Sequence, residues 1–250
     1  MTQPPVLAIE TAGRLCQAAL AAGDRILSRA EPGGRGQEGR LFTLIQDLLR
    51  EAQISVDEIA GVAVARGPGG FTSLRAGLAA AHGLAIAKNI PLAAWSSFDL
   101  AAFAARQIFD SQGRNAGDDR PRLHVVLDSR RAGDPFVAHF NYDPNDILWG
   151  PAVSEKGDDN GDIIAAASGD KNGAAVPVFF FGDGVHELPN IPDNAQILHQ
   201  PESPRGSSVH LLQLARALGF PENIPENARN TQALYIRPPQ TSPPSSPKNA

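Results

Sequence analysis

Between Gly61 and Ala87 the chain passes from an unbroken apolar run, GVAVA, through Arg66-Gly67-Pro68-Gly69-Gly70-Phe71-Thr72 into a long stretch of small and apolar residues. No other segment limits the fold as strongly. The apolar run reads as a buried strand. The glycines allow a tight turn with positive φ and close backbone approach. The segment from Thr72 to Ala87 then reads as a helix, with Thr72 as its N-cap candidate. A buried strand feeding a helix is the building unit of α/β architecture. Small and apolar residues surround nearly the whole helix, which predicts burial on more than one side. Gly77, Ala81 and Gly83 would let another helix approach closely. A helix start after such a loop offers free N–H groups and a positive dipole end, which suits a phosphate. It suits a ligand-free packing turn equally well. The pattern lacks the lysine of a phosphate-binding loop and the spacing of a dinucleotide fingerprint.

Upstream, Val6 to Ile9, Leu15 to Ala21 and Arg25 to Ala30 read as a three-stranded meander, turning at Gly23-Asp24. Leu41, Leu44, Ile45, Leu48, Leu49 and Ala52 recur at helical spacing from about Arg40 to Ala52, with Phe42 outside the main row. Two adjacent helices with surplus apolar surface point to a helix-to-helix protein interface, or simply to mutual cover. Downstream, Pro91 to Trp95 is a strand, and Ser96 or Ser97 caps a helix running to about Phe109. The polar stretch from Asp110 to Arg120 is the best lobe boundary. Leu123 to Leu127, Phe136 to Phe140 and Val178 to Phe181 are further strands. Lys156 to Gly161 and Ser168 to Gly173 are polar loops. Ser208 to Leu218 is an amphipathic helix stopped by Gly219. We expect a first lobe over 1–110, a second over 121–237 with helix 207–218 packing back on the first, and a disordered proline- and serine-rich tail over 238–250.

Composition removes several function classes. A formal charge of −5 argues against a strongly basic nucleic-acid-binding face. A single cysteine, Cys16, rules out an internal disulfide and fits a reducing cytoplasm. No apolar run is long enough to span a membrane, and the N-terminus does not read as a signal peptide, so a cytoplasmic location is expected. The six histidines are scattered, with no HxxxH, HExxH or Cys/His cluster, so no metal site is expected. No GxSxG elbow occurs. Both lobes open with a strand ending in an acid, Glu10 and Asp128. Asp128 and Asp183, at strand ends, have the character of Mg²⁺ ligands for phosphoryl chemistry, although turn formation accounts for Asp183 equally well.

At this point the chain resembles a known family. A first strand reading Leu7-Ala-Ile-Glu-Thr-Ala12 precedes Arg66-Gly-Pro-Gly-Gly-Phe-Thr-Ser-Leu-Arg-Ala-Gly77. Pro91-Leu-Ala-Ala-Trp-Ser-Ser-Phe98, Val125-Val-Leu-Asp-Ser-Arg130 and Ala233-Leu-Tyr-Ile-Arg237 follow in order. Together these are similar to the TsaB family, also called YeaZ, of the actin-like ATPase and sugar-kinase superfamily. The resemblance implies a two-lobed, actin-like (ribonuclease-H-like) α/β fold, with mixed sheets flanked by helices. It implies a scaffold subunit without catalytic residues of its own. Such a subunit heterodimerises with the catalytic subunit TsaD through its N-terminal helices, and the ATPase TsaE joins them. TsaD transfers threonylcarbamoyl to N6 of an anticodon-loop adenosine, so tRNA is met through the complex. The partner face would then draw on Leu41, Leu44, Leu48, Arg75, Leu78, Ala81, His82 and Ala85. No cofactor or metal is expected beyond a weak or vestigial ATP/Mg²⁺ site at Glu10, Thr11, Gly67, Gly69, Gly70, Asp128 and Gly182. A homodimer of the free chain is left open. Three departures stand out: Glu10 where the family has Asp, Ser73 where it has Gly, and Glu38-Gly39-Arg40-Leu41 where it has a histidine motif. The rival readings are an ATP-dependent kinase or ATPase of the same superfamily and, more remotely, a metallopeptidase.

Overall fold

The structure is a computed structural model that describes residues 3–34, 36–114, 121–130, 134–150, 152–154, 177–188, 191, 195–198, 206–220 and 231–235. The expected tail over 238–250 and the polar loops at 156–161 and 168–173 lie outside the described residues. Strands β1 (Val6–Glu10), β2 (Leu15–Ala22), β3 (Arg25–Pro32), β4 (Gly61–Ala65) and β5 (Leu92–Trp95) form one sheet in the order β3-β2-β1-β4-β5. Strands β6 (Arg122–Leu127), β7 (Phe136–Asn141), β8 (Ala152–Ser154), β9 (Val178–Phe181) and β10 (Ala195–Ile197) form a second sheet in the order β10-β9-β6-β7-β8. In each sheet the first strand pairs antiparallel with the second and parallel with the fourth. The two sheets thus repeat one topology. Glu10 and Asp128 stand at equivalent places, at the end of β1 and just past the end of β6.

The central strands β1 and β4 are buried along their whole length, as parallel strands covered on both faces must be. Their side chains sort by face. Leu7, Ile9, Val62 and Val64 form one core with helices α1 (Gln37–Ala52) and α2 (Phe71–Lys88). Ala8, Ala63 and Ala65 face the other way. Alanines there leave room for α3 (Ser97–Ser111) and α4 (Ser208–Leu218), which bring Leu100, Phe103, Leu211, Leu212 and Leu214 into the same core. The opposite side of α3 buries Phe98, Ala101, Ala105 and Phe109 against Leu123, Val125, Leu127 and Phe181 of the second sheet. One helix therefore serves both sheets.

Several local expectations change. Helix α2 begins one residue before Thr72, and its N-cap is Gly70. Thr72 sits inside the first turn, exposed, while Ser73 Oγ donates to Gly70 O at 3.0 Å. Ser96 caps α3 in a capping box with Asp99, and the helix runs to Ser111. Helix α1 starts at Gln37, behind Gly36 at φ 74°. Helix α2 is buried on the side that packs on its own sheet, and the side that the sequence leaves to the second lobe or a partner is open. Ser73, Leu74, Gly77, Leu78, Ala80, Ala81 and Ala85 are buried, but Arg75, Ala79, Gly83, Ile86 and Ala87 face out. Among the described residues no helix is long and apolar enough to cross a membrane.

His124 and His139 oppose each other across β6 and β7, with their Nδ1 atoms 2.6 Å apart, and His124 stacks on Phe180. Burial, then His139 and Arg122, pull the His124 pKa down to about 3. Burial pulls that of His210 on α4 down to about 4. Both imidazoles are neutral when folded but protonate near 6.5 when unfolded, so the unfolded chain binds more protons below that pH. Stability should be complete above about pH 6.5 and fall by up to ~1.4 kcal/mol per pH unit per group toward pH 4. Thermal midpoints measured across that range should fall less steeply for His124→Phe. Parallel curves for variant and parent would contradict the assignment.

Candidate functional site

The glycine turn is a knot of backbone contacts. Gly67, at φ 97° and joined to Pro68 by a cis peptide, accepts from Ser97 N at 2.7 Å. Gly70 N donates to Ala12 O at 2.9 Å, and Leu234 N donates to Arg66 O at 2.7 Å. A Cβ on Gly69 would lie 2.3 Å from Ala12 O, and one on Gly67 would lie 3.0 Å from Leu234 O. Gly77, nearly two turns into α2, presses on Thr11, whose Oγ1 donates to Ser73 O at 2.8 Å. Glycine is required here because chain crosses chain. Packing accounts for these glycines, and the Gly70 amide serves Ala12.

Of the expected nucleotide-site residues, Glu10 and Thr11 lie at the end of β1 beside the turn carrying Gly67, Gly69 and Gly70, and Arg14 and Arg130 link that turn region to Asp128 of the second sheet. Their polar atoms are engaged by the chain itself. Glu10 is buried, and its Oε1 accepts from Ala12 N at 2.8 Å and Gly13 N at 3.2 Å while Oε2 faces Gln17. Asp128 pairs with the Arg14 guanidinium and accepts from Arg130 N at 2.5 Å. Asp183 Oδ1 accepts from Asp128 N at 2.8 Å. Burial alone would raise the Asp128 pKa, but the Arg130 amide and Arg14 together hold it below the usual carboxylate value. Gly182 packs on the β6 backbone, where a Cβ would lie 2.0 Å from Val126 O. Mg²⁺ needs several oxygen ligands free to arrange octahedrally. These carboxylates, turned inward onto amides and guanidinium groups, do not fit it. Sequence reading missed Arg14 and Arg130. Arg130 stood inside a quoted motif, but nothing local said where its side chain would reach.

The expected partner residues divide sharply. Leu41, Leu44, Leu48, Leu78, Ala81 and Ala85 belong to the core under the first sheet. That part of the expectation is corrected: these residues are the sheet-facing stripes of α1 and α2 and cannot touch a partner. Arg75 is exposed, stacked 3.7 Å from the Phe71 ring centroid, with its Nε donating to Tyr235 Oη at 2.8 Å. His82 is half-buried, and its Nε2 has no hydrogen-bond partner among the described residues. The apolar surface that does face out is different. Phe42 (52% exposed) and Val56 (39%) line a groove of about 590 Å³ together with Ile45, Gln46, Leu49, Arg50 and Leu84, and Ile86 (58%) is exposed elsewhere on α2. Phe42 was legible, because it fell off the main apolar row. Val56, Ile86, Phe71 and Tyr235 were not singled out.

Gly77→Ala should destabilise the chain by about 1–3 kcal/mol in chemical denaturation, because the new Cβ meets Thr11 Oγ1 at 2.1 Å. Adding Thr11→Ala should make the combined loss smaller than the sum of the two single losses. Strict additivity would mean that the contact does not limit α2 packing.

The family model described as TsaD, tRNA N6-adenosine threonylcarbamoyltransferase, matches residues 31–145. The chain is 30% identical over 145 residues to the tRNA threonylcarbamoyladenosine biosynthesis protein TsaB of Escherichia coli (strain K12), covering 58% of each chain. It is 27% identical over 151 residues to that of Haemophilus influenzae, covering 60% of this chain and 62% of that one. The match thus spans about three fifths of these curated relatives' length. A solved structure, an uncharacterized protein from Pseudomonas aeruginosa with similarity to peptidase YEAZ, is 26% identical with a TM-score of 0.67. That match covers 94% of this chain and 100% of the other. YeaZ from Pseudomonas aeruginosa shares the fold at a TM-score of 0.64 and 24% identity, over 93% of this chain and 100% of that one. The chain is thus similar in sequence to curated TsaB proteins over about three fifths of its length, and it shares the fold of YeaZ-like structures over nearly all of it.

Proposed function

We propose that this chain is a non-catalytic scaffold subunit for tRNA threonylcarbamoyladenosine biosynthesis, heterodimerising with TsaD through the exposed faces of α1 and α2. The observation that carries the reading is the apolar groove between those helices, lined in part by the exposed Phe42 and Val56, with Ile86 also exposed on α2. Contiguous exposed apolar surface on a folded chain marks an interaction site. The names of the curated relatives support the process, and the family model described as TsaD, matched by residues 31–145, supports a place in the same tRNA modification. TsaE joins this pair, and tRNA is met through the assembled complex. The rival reading, an ATP-dependent kinase of the same fold, asks for strand-end acids available to Mg²⁺. Glu10 and Asp128 are instead bound to the chain's own donors.

Mixing the chain with TsaD from the same organism should give a heterodimer on size exclusion. Phe42→Glu combined with Ile86→Glu should weaken it at least about tenfold without lowering the thermal midpoint, since both side chains already face solvent. Ala81→Arg should instead unfold the monomer, because Ala81 is fully buried. If the parent chain and TsaD elute separately over a wide concentration range, the scaffold reading fails.

A further inference from the structure

The cleft between the two sheets is bridged in both directions. From the first sheet, Arg14 follows the end of β1 and reaches the Asp128 carboxylate beyond β6. From the second, Arg130 follows the end of β6 and its guanidinium donates to Gly13 O at 3.0 Å. The same guanidinium packs on Gly70, where a Cβ would come within 3.0 Å of Arg130 Nη2. Each sheet thus sends one arginine, from the turn after its first strand, to the turn after the first strand of the other.

The anchors of these crossings are rigid. The Asp128 side chain is only 2% exposed, and its backbone N–H is held by Asp183. Arg130 adopts φ 62°, a left-handed conformation that is costly for a non-glycine residue. That turn lets Arg130 N donate to Asp128 Oδ1 while the side chain swings back to the first lobe. A guanidinium is a fixed, always charged fork suited to a carboxylate and to carbonyl oxygens.

We propose that Arg14 and Arg130 form a two-way latch that holds the facing strand ends of the two sheets together. The latch makes the two sheets one body of fixed spacing, so the α1–α2 face is presented without a hinge motion. It stands independently of the partner assigned to that face.

The test is an interlobe distance measurement by pulsed electron resonance. Spin labels go on Arg25→Cys and Asn141→Cys, both exposed and at the strand ends away from the cleft, while native Cys16 is buried. The parent background should give one narrow distribution that Mg²⁺·ATP leaves unchanged. Arg14→Ala with Arg130→Ala should broaden it or add a longer component, and Arg14→Lys should recover part of the narrow population. If the double variant fails to fold, Asp128→Asn, which keeps size and shape, should give a partial broadening by the same readout. A distribution as narrow in folded latch variants as in the parent would overturn the proposal, and so would a parent whose distribution shifts on adding Mg²⁺·ATP.

Discussion

The contact between Gly69 and Ala12 O sets the geometry of the first lobe. At that point the turn leaving β4 crosses the turn leaving β1 so closely that no side chain fits between them. Gly70 N closes the crossing by donating to Ala12 O, and Gly67 O and Arg66 O tie in the start of α3 and the segment ending at Tyr235. Three stretches distant in sequence are therefore fixed against one turn. The direction of α2 follows from it, because the helix leaves the turn already pressed on Thr11 through Gly77.

Once α2 is aimed this way, its small residues have two uses. Leu74, Leu78, Ala81 and Ala85 close the core over Leu7, Ile9, Val62 and Val64. Full burial of each leucine contributes roughly 1.5–3 kcal/mol. Ile86 and its neighbours on the outward face add nothing to that core and remain available to another chain. A helix uniformly apolar around its axis is what such double duty asks of a sequence. The cleft side shows the converse arrangement, in which acids that could have met solvent or ions are spent on the chain's own amides and arginines.

Much of this was legible from residues alone. The meander, the buried β4, the glycine turn, most of α1 and α2, and the strand-end acids follow from periodicity and turn chemistry. Three-residue strands such as β8 and β10 are too short for periodicity to register. Partner residues were misassigned for a definite reason. The strongest apolar stripe, Leu41, Leu44 and Leu48 of α1, is strong because it is core, and the interface candidate Phe42 is the residue that falls outside it. In α2 the apolar character runs all round, so the sequence carries no phase from which to tell inside from outside. Arg14 and Asp128 are 114 positions apart, and no local pattern reports such a pairing.

The central claim is that α1 and α2 carry a core on one face and a partner site on the other. Amide hydrogen exchange of the chain, followed with and without TsaD, tests it most directly. The account predicts slowed exchange confined to residues near Phe42, Val56 and Ile86, with exchange around Glu10 and Asp128 unchanged. Protection centred on the interlobe cleft, or none on either helix when the complex is formed, would contradict it.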